Sequence, residues 1–151
     1  MKKKKVILTG GLGFIGSNLV ELLIKKNFYV INLDKISYSS NFYNVKDFKK
    51  NKNYKFIKCD INNKSKIYKI LKKEKPLALF NLAAESHVDR SIDSPYSFIK
   101  NNIVGVFNLL EAVKDYYNDN KRFKLIHIST DEVYGDIIKG RTKENYPYRP
   151  S

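Results

Sequence analysis

The sequence has one cysteine, Cys59. A single cysteine excludes an internal disulfide, and with it the small disulfide-stapled folds, and it fits a reducing cytoplasm. Also missing is any apolar run near the ~18 residues that would suggest a membrane-spanning helix. The start, Met1-Lys2-Lys3-Lys4-Lys5, resembles the positive end of a signal peptide, but the apolar stretch behind it is short and Gly10-Gly11 interrupts it. The reading is a soluble, cytoplasmic protein. Arginine is scarce, occurring only at Arg90, Arg122, Arg141 and Arg149, although Lys+Arg total 29 against 15 Asp+Glu, a formal charge of +14. Nucleic-acid readers use the arginine fork for bases and phosphates. The lysine excess travels with asparagine, isoleucine and tyrosine, and reads mainly as solvated surface. No nucleic acid, membrane or metal is expected, though a basic field would help draw in an anionic ligand. Internal repeats and linkers are absent.

What is there is one domain's worth of chain, 151 residues of which 42% are hydrophobic. Strand-like runs alternate with helix-period segments, the pattern of an α/β fold in which helices cover a parallel sheet. The runs Lys4–Thr9, Tyr29–Asp34, Lys55–Cys59, Leu77–Leu82 and Lys124–Ser129 predict five strands. Phe14–Lys26 predicts a helix with Ile15, Leu19, Leu22 and Leu23 inward, and Lys64–Lys73 one with Ile67, Ile70 and Leu71 inward. Pro76 separates that helix from the fourth strand. A long helix is predicted from Ser97 to about Tyr117, with Ile99, Ile103, Val106, Leu110, Val113 and Tyr117 as its inward stripe. The polar connection Lys35–Tyr54 is long for a plain loop and predicts short helical structure or a functional segment. Periodicity is lost after Gly135, which separates an α/β domain at 1–135 from a polar segment at 136–151.

Between the first strand and the first helix lies Thr9-Gly10-Gly11-Leu12-Gly13-Phe14-Ile15-Gly16. Glycines here permit a tight turn, a close approach to a pyrophosphate and close packing of helix on sheet. The helix start offers free N–H groups and partial positive charge to the phosphates. The key glycines, Gly10, Gly13 and Gly16, are spaced by three and three. Asp34 follows Gly16 by 18 residues, close to the ~20 at which a strand-end acid binds the adenosine ribose. Its charge would repel a 2′-phosphate, which favours NAD over NADP. Asp60 and Ile61 follow the third strand, where Asp60 could accept from an adenine amino group and Ile61 could pack on the ring. Asp34 and Asp60 also remain readable as turn-capping aspartates.

Two further stretches carry chemistry. Leu82-Ala83-Ala84 ends the fourth strand with small side chains that let a cofactor lie near the backbone, and Ser86 and His87 follow at the same edge. Thr130-Asp131-Glu132 ends the fifth strand, two adjacent carboxyls and a hydroxyl suited to acid–base work. By pattern alone the acids could equally be a solvated loop pair, Ser86 a cap and His87 a packing residue. Arg90 reads as a structural ion pair or subunit contact.

Together, Thr9–Asn18, Asn32-Leu33-Asp34-Lys35, NLAAESHVDRSI at 81–92 and HISTDEVYG at 127–135 resemble the dTDP-glucose 4,6-dehydratase family of the extended short-chain dehydrogenase/reductases. The resemblance runs over essentially all 151 residues. It implies a Rossmann-type doubly wound parallel sheet and an NAD-dependent lyase of dTDP-rhamnose biosynthesis, a homodimer at full length. It implies cofactor contacts from Gly10, Gly13, Phe14, Ile15, Gly16, Asp34, Lys35, Asp60, Ile61, Leu82, Ala83 and Ala84. Substrate contacts would come from Ser86, His87 and Thr130. In the implied reaction a tyrosine takes the sugar 4-hydroxyl proton, Glu132 the C5 proton, and Asp131 protonates the departing 6-hydroxyl.

The chain departs from the family at three points. No Tyr-x-x-x-Lys follows the fifth strand, so the sequence reads as truncated before that pair and inactive by itself. Tyr68 and Lys72 match the spacing but fall on an earlier helix. Leu12 stands where the family has alanine, which predicts a slightly crowded turn, and Asn101 stands where threonine is expected. Competing readings are a related nucleotide-sugar 4-epimerase or dehydratase, a non-catalytic fragment that binds NAD or a partner chain, and a lysine-driven nucleic-acid binder.

Overall fold

The computed structural model describes residues 3–151; Met1 and Lys2 of the basic start lie outside the described residues. Five parallel strands, β1 (Lys5–Thr9), β2 (Tyr29–Asp34), β3 (Tyr54–Lys58), β4 (Ala78–Asn81) and β5 (Lys124–His127), form one sheet in the order β3-β2-β1-β4-β5. Each expected strand is present, shifted at most two residues at an end. The order reverses beside β1, where Val6 pairs with Val30 of β2 on one side and Ala78 of β4 on the other. Parallel strands need crossovers; α1 (Phe14–Lys25), α2 (Lys64–Glu74) and α5 (Val106–Asp119) supply three of the four, and an irregular connection supplies the one from β2 to β3.

One face of the sheet packs Ile7, Ile31, Leu33 and Leu79 under α2 and α5, and the other packs Val6, Leu8 and Val30 under α1. The inward face of α2 is the predicted one. That of α1 is met in part: Leu23 is buried and Leu19 packs against the core as expected, but Ile15 and Leu22 are exposed, and Gly16, Ser17, Val20 and Ile24 complete the buried face. The small residues of its first turn let the helix approach the glycine turn, and that contact fixes its rotation.

The connection after β2 contains the expected short helical piece, a 3₁₀ turn Phe42–Val45 capped by Asn41. After β4 come two short helices, α3 (Val88–Asp93) and α4 (Pro95–Phe98), and a π-helical stretch Ile99–Gly105 leading into α5. The predicted inward stripe of this long helix is corrected. Asn101, Gly105, Leu109, Ala112, Val113 and Tyr116 are buried, whereas Ile99, Ile103, Leu110 and Tyr117 are exposed. Gly105 decides this, because a side chain there would strike Ile61 at 2.9 Å. Past the 3₁₀ turn Asp131–Tyr134 the tail has no regular element but returns to the rim, where Arg149 N donates to Val133 O at 3.0 Å. Among the described residues no helix is long and apolar enough to cross a membrane.

Candidate functional site

All five strands point the same way, so the glycine turn, Asp34, Asp60, Leu82–His87 and Thr130–Glu132 emerge at one carboxyl rim. β1 and β5 are two strand spacings apart, roughly 10 Å, with β4 between them. The site therefore lies across the point where strand order reverses, the crevice that takes ligands in open α/β sheets.

The fold itself demands glycine at Gly10 and Gly16. Gly10 has φ +74°, and a Cβ on it would meet the Leu82–Ala83 backbone at 2.9–3.0 Å. A Cβ on Gly16 would lie 2.2 Å from the Gly10 carbonyl oxygen, so helix and turn touch through it. Gly13 is different: a Cβ there would meet only the Gly10 carbonyl oxygen, at 3.4 Å, which is ordinary contact. Nothing in the chain requires Gly13 to lack a side chain, and it stands at the mouth of α1, whose first N–H groups have no intrahelical partner. Phe14 and Ile15 are exposed beside it. The cradle fits the diphosphate of a dinucleotide.

Side chains that the motif does not include hold the turn in shape. Asn32 Oδ1 accepts from Gly11 N at 3.0 Å, and its Nδ2 donates to the Tyr54 hydroxyl at 2.9 Å. Asp34, only 6% exposed, accepts from Leu12 N at 3.1 Å, Ile36 N at 2.8 Å and the Ser40 hydroxyl at 2.7 Å. A carboxylate has about four acceptor sites; Asp34 spends three on the fold and keeps room for a further donor. The Leu12 carbonyl accepts from Asn41 N and Asn44 Nδ2, and the Leu12 side chain is fully buried under α1. The expected crowding is thus corrected, because the larger side chain faces the core and not the crevice.

Lys35 does not project freely into the crevice: its Nζ pairs with Glu85 Oε1 at 3.1 Å. Asp60 Oδ1 accepts from Asn62 N and Nδ2 in a local turn. Ile61 is buried in the core against Gly105, which leaves little of its side chain for a ligand ring. Ala83 N donates to Thr9 Oγ1 at 3.2 Å, Thr9 donates to Asn81 Oδ1 at 2.5 Å, and Asn81 Nδ2 meets His127 Nδ1 at 2.9 Å. This polar rung fixes the ends of β1, β4 and β5 relative to one another. Ala84, Ser86 and His87 are exposed; the His87 ring lies 5.7 Å from Tyr38, over which Arg90 stacks at 3.7 Å. Arg90 thus meets an aromatic ring, a contact other than the ion pair or subunit contact expected of it.

Thr130 caps the 3₁₀ turn that carries both acids. Its Oγ1 accepts from Glu132 N at 3.4 Å and donates to Asp131 Oδ1 at 3.3 Å. Both carboxyls are exposed, and Thr130, Asp131, Val133, Tyr134 and Tyr148 line an open concavity. Sequence reasoning missed Asn32, Asn44, Glu85 and Asn102. For Asn32 a signal existed, a polar residue inside an otherwise apolar strand; the others depend on contacts 16 residues or more away in sequence.

The strand order and the glycine turn define a Rossmann-type α/β domain. The profile of the family described as GDP-mannose 4,6 dehydratase matches residues 7–151, and the chain belongs to that family. It is 42% identical over 151 residues to a dTDP-glucose 4,6-dehydratase of Xanthomonas campestris pv. campestris, covering 96% of this chain and 43% of the relative. The crystal structure of dTDP-glucose 4,6-dehydratase from Bacillus anthracis in complex with NAD superposes with a TM-score of 0.84 at 35% identity, over 98% of this chain and 44% of that one. A UDP-N-acetylglucosamine 4-epimerase from Methanobrevibacter ruminantium superposes at 0.83, also with 35% identity, over 99% and 45%. The chain thus spans less than half the length of these relatives.

Proposed function

We propose that these residues form the NAD-binding part of a dTDP-glucose 4,6-dehydratase and carry its elimination acid and base. The carrying observation is the open cradle at Gly13, across the rim from Thr130-Asp131-Glu132. A bound NAD would supply the transient hydride acceptor that the sugar oxidation and its reversal need. The chain's own part is binding and proton movement. The N–H groups at the start of α1 and the Gly13 backbone hold the diphosphate; Asp34 accepts from a ribose hydroxyl, and Asp60 from the adenine amino group. Leu82, Ala83 and Ala84 leave the backbone open to the cofactor. Thr130 donates near the sugar 4-oxygen, with Ser86 and His87 beside it. Glu132 removes the C5 proton made acidic by a 4-keto group, and Asp131 protonates the leaving 6-hydroxyl. The adjacent acid pair favours a dehydratase over a 4-epimerase, which has no water to eliminate.

The tyrosine that would take the 4-hydroxyl proton in a Tyr-x-x-x-Lys pattern is not found after β5 in these 151 residues. General acid–base catalysis supplies roughly 10²–10⁴-fold in rate, so a polypeptide of these residues alone binds NAD without turnover. The setting is the cytoplasm, in dTDP-rhamnose biosynthesis. The exposed apolar row Tyr96, Ile99, Ile103, Phe107 and Leu110 supports a homodimeric full-length enzyme, since apolar surface of this extent marks a contact face. Calorimetry with NAD⁺ and an assay with dTDP-glucose test the reading. Binding at one site with no 4-keto-6-deoxy product is expected; product from these residues alone, or no binding, would overturn it.

A further inference from the structure

Glu85 touches no reacting atom in the scheme above, yet its side chain is only 9% exposed. Its Oε1 accepts from Lys35 Nζ at 3.1 Å and Asn101 Nδ2 at 3.0 Å, and the Tyr38 phenol, raised above its ordinary pKa first by burial and then by the Glu85 charge, lies nearby. Its backbone is held on both sides by one residue: Glu85 N donates to Asn102 Oδ1 and Asn102 Nδ2 donates to Glu85 O, each at 2.8 Å. Arg90 closes the cluster by stacking on Tyr38. Three separate parts of the rim meet at this one carboxylate: the loop after β2, the segment after β4 and the π-helical stretch before α5. A shielded carboxylate holding a cation and a neutral donor is a strong tie, and removing its charge leaves the lysine without its partner.

We infer that Glu85 is a positioning residue for dinucleotide binding: through Lys35 and Asn101 it clamps the loop after β2 to segment 82–87 and sets the width of the crevice between them. The inference rests on the cofactor reading above. It concerns a residue with no proposed contact to the cofactor itself, and it explains why Lys35, beside the ribose-binding Asp34, is turned across the rim.

The test is a cycle of Glu85→Gln, Lys35→Met and the double variant, each titrated with NAD⁺ by calorimetry and melted without it. Glutamine keeps an acceptor for Asn101 and removes only the charge. Each single variant is expected to weaken NAD⁺ about tenfold, and the double no more than about threefold beyond either, because the two residues act through one contact. A Lys72→Met variant, which breaks the Lys72–Asp119 pair far from the rim, is expected to change melting without changing affinity. Affinity within about twofold of the unaltered chain in either folded single variant overturns the inference, as do effects that simply multiply to about a hundredfold. If Glu85→Gln does not fold, Asn101→Ala, which removes the other donor to Glu85 Oε1, takes its place and is expected to weaken NAD⁺ in the folded chain; unchanged affinity there overturns the inference. Absence of NAD⁺ binding by the unaltered chain overturns the cofactor reading and this inference together; normal binding with insensitive variants overturns this inference alone.

Discussion

Placing a methyl group on Gly13 and on Gly16 should separate folding from binding. On Gly16 the new Cβ would sit 2.2 Å from the Gly10 carbonyl oxygen and 2.9 Å from the Gly11 Cα. Both are backbone atoms of a turn pinned by Asn32 and Asp34, so helix or turn must move by about an ångström. Overpacking of this kind costs about 1–3 kcal/mol, and for a chain of this size each kcal/mol lowers Tm by about 2–4 °C. Gly16→Ala is therefore expected to melt roughly 2–12 °C lower and to bind NAD⁺ poorly. Gly13 has φ −77° and ψ 175°, which alanine adopts freely. Its methyl meets nothing closer than 3.4 Å. The loss of a glycine N-cap and the gain from a stiffer unfolded chain nearly cancel, so stability should stay within about 0.5 kcal/mol. The same methyl stands where the diphosphate must come close. Displacing the ligand from one charge-assisted hydrogen bond costs about 1.5–3 kcal/mol, a ten- to hundredfold loss of affinity. Thermal melts with and without NAD⁺ read both quantities, since saturating ligand at about 100 times Kd adds about 2.7 kcal/mol of stability. Gly13→Ala should melt like the unaltered chain without NAD⁺ and lose most of the ligand-induced rise. A Gly13→Ala chain that keeps both would refute the cradle argument.

Three other outcomes are expected. Glu74 is buried between Lys5 and Lys55, at 2.8 and 2.7 Å. Burial pushes its carboxyl up, but the hydrogen bonds and charges of the two lysines outweigh this and hold it below the ordinary value. A depressed folded-state pKa adds stability that is complete above the unfolded value of about 4.3 and is lost as pH falls through the folded one. Glu74→Gln should therefore lower Tm at neutral pH, with the difference shrinking below about pH 4; a pH-independent difference would contradict it. Asp34→Asn should narrow the preference for NAD over NADP, because the negative charge facing a 2′-phosphate is gone, at a stability cost of about 1–3 kcal/mol from weakened bonds to Leu12, Ile36 and Ser40; paired titrations check it. Phe107→Lys, placing charge in the exposed row of the long helix, should shift a full-length dimer toward monomer in sedimentation equilibrium without lowering Tm of the isolated domain.

Much of the sheet could be read from the sequence because strands buried on both faces are near-continuous apolar runs, as Val6-Ile7-Leu8 and Val30-Ile31 are. The rim residues followed, since a parallel sheet with known strand ends puts its motifs on one edge. The rotation of the two largest helices could be read only in part, Leu23 and Val113 being buried as expected while Ile15, Leu22, Ile99 and Ile103 are exposed. The long helix carries two apolar stripes, and the inward one begins with Asn101 and Gly105, which a hydrophobic pattern passes over. A π-helical stretch also widens the turn to i→i+5 spacing, so counting by threes and fours from Ile99 follows the outer stripe. In α1 the buried first turn is Gly16 and Ser17, so the pattern again pointed to the more apolar, outer positions. The short helices from Val88 to Phe98 have too few residues for periodicity to register. Lys35 was legible as a rim residue, but its pairing with Glu85 bridges 50 positions and has no local signature.

The account stands most directly on where a dinucleotide would lie. A crystal structure of the chain grown with NAD⁺ should place the diphosphate against Gly13 and the first N–H groups of α1, with the nicotinamide beside Thr130, Asp131 and Glu132. Density for the cofactor elsewhere on the surface, or with its nicotinamide end directed toward β3 and away from β5, would contradict it.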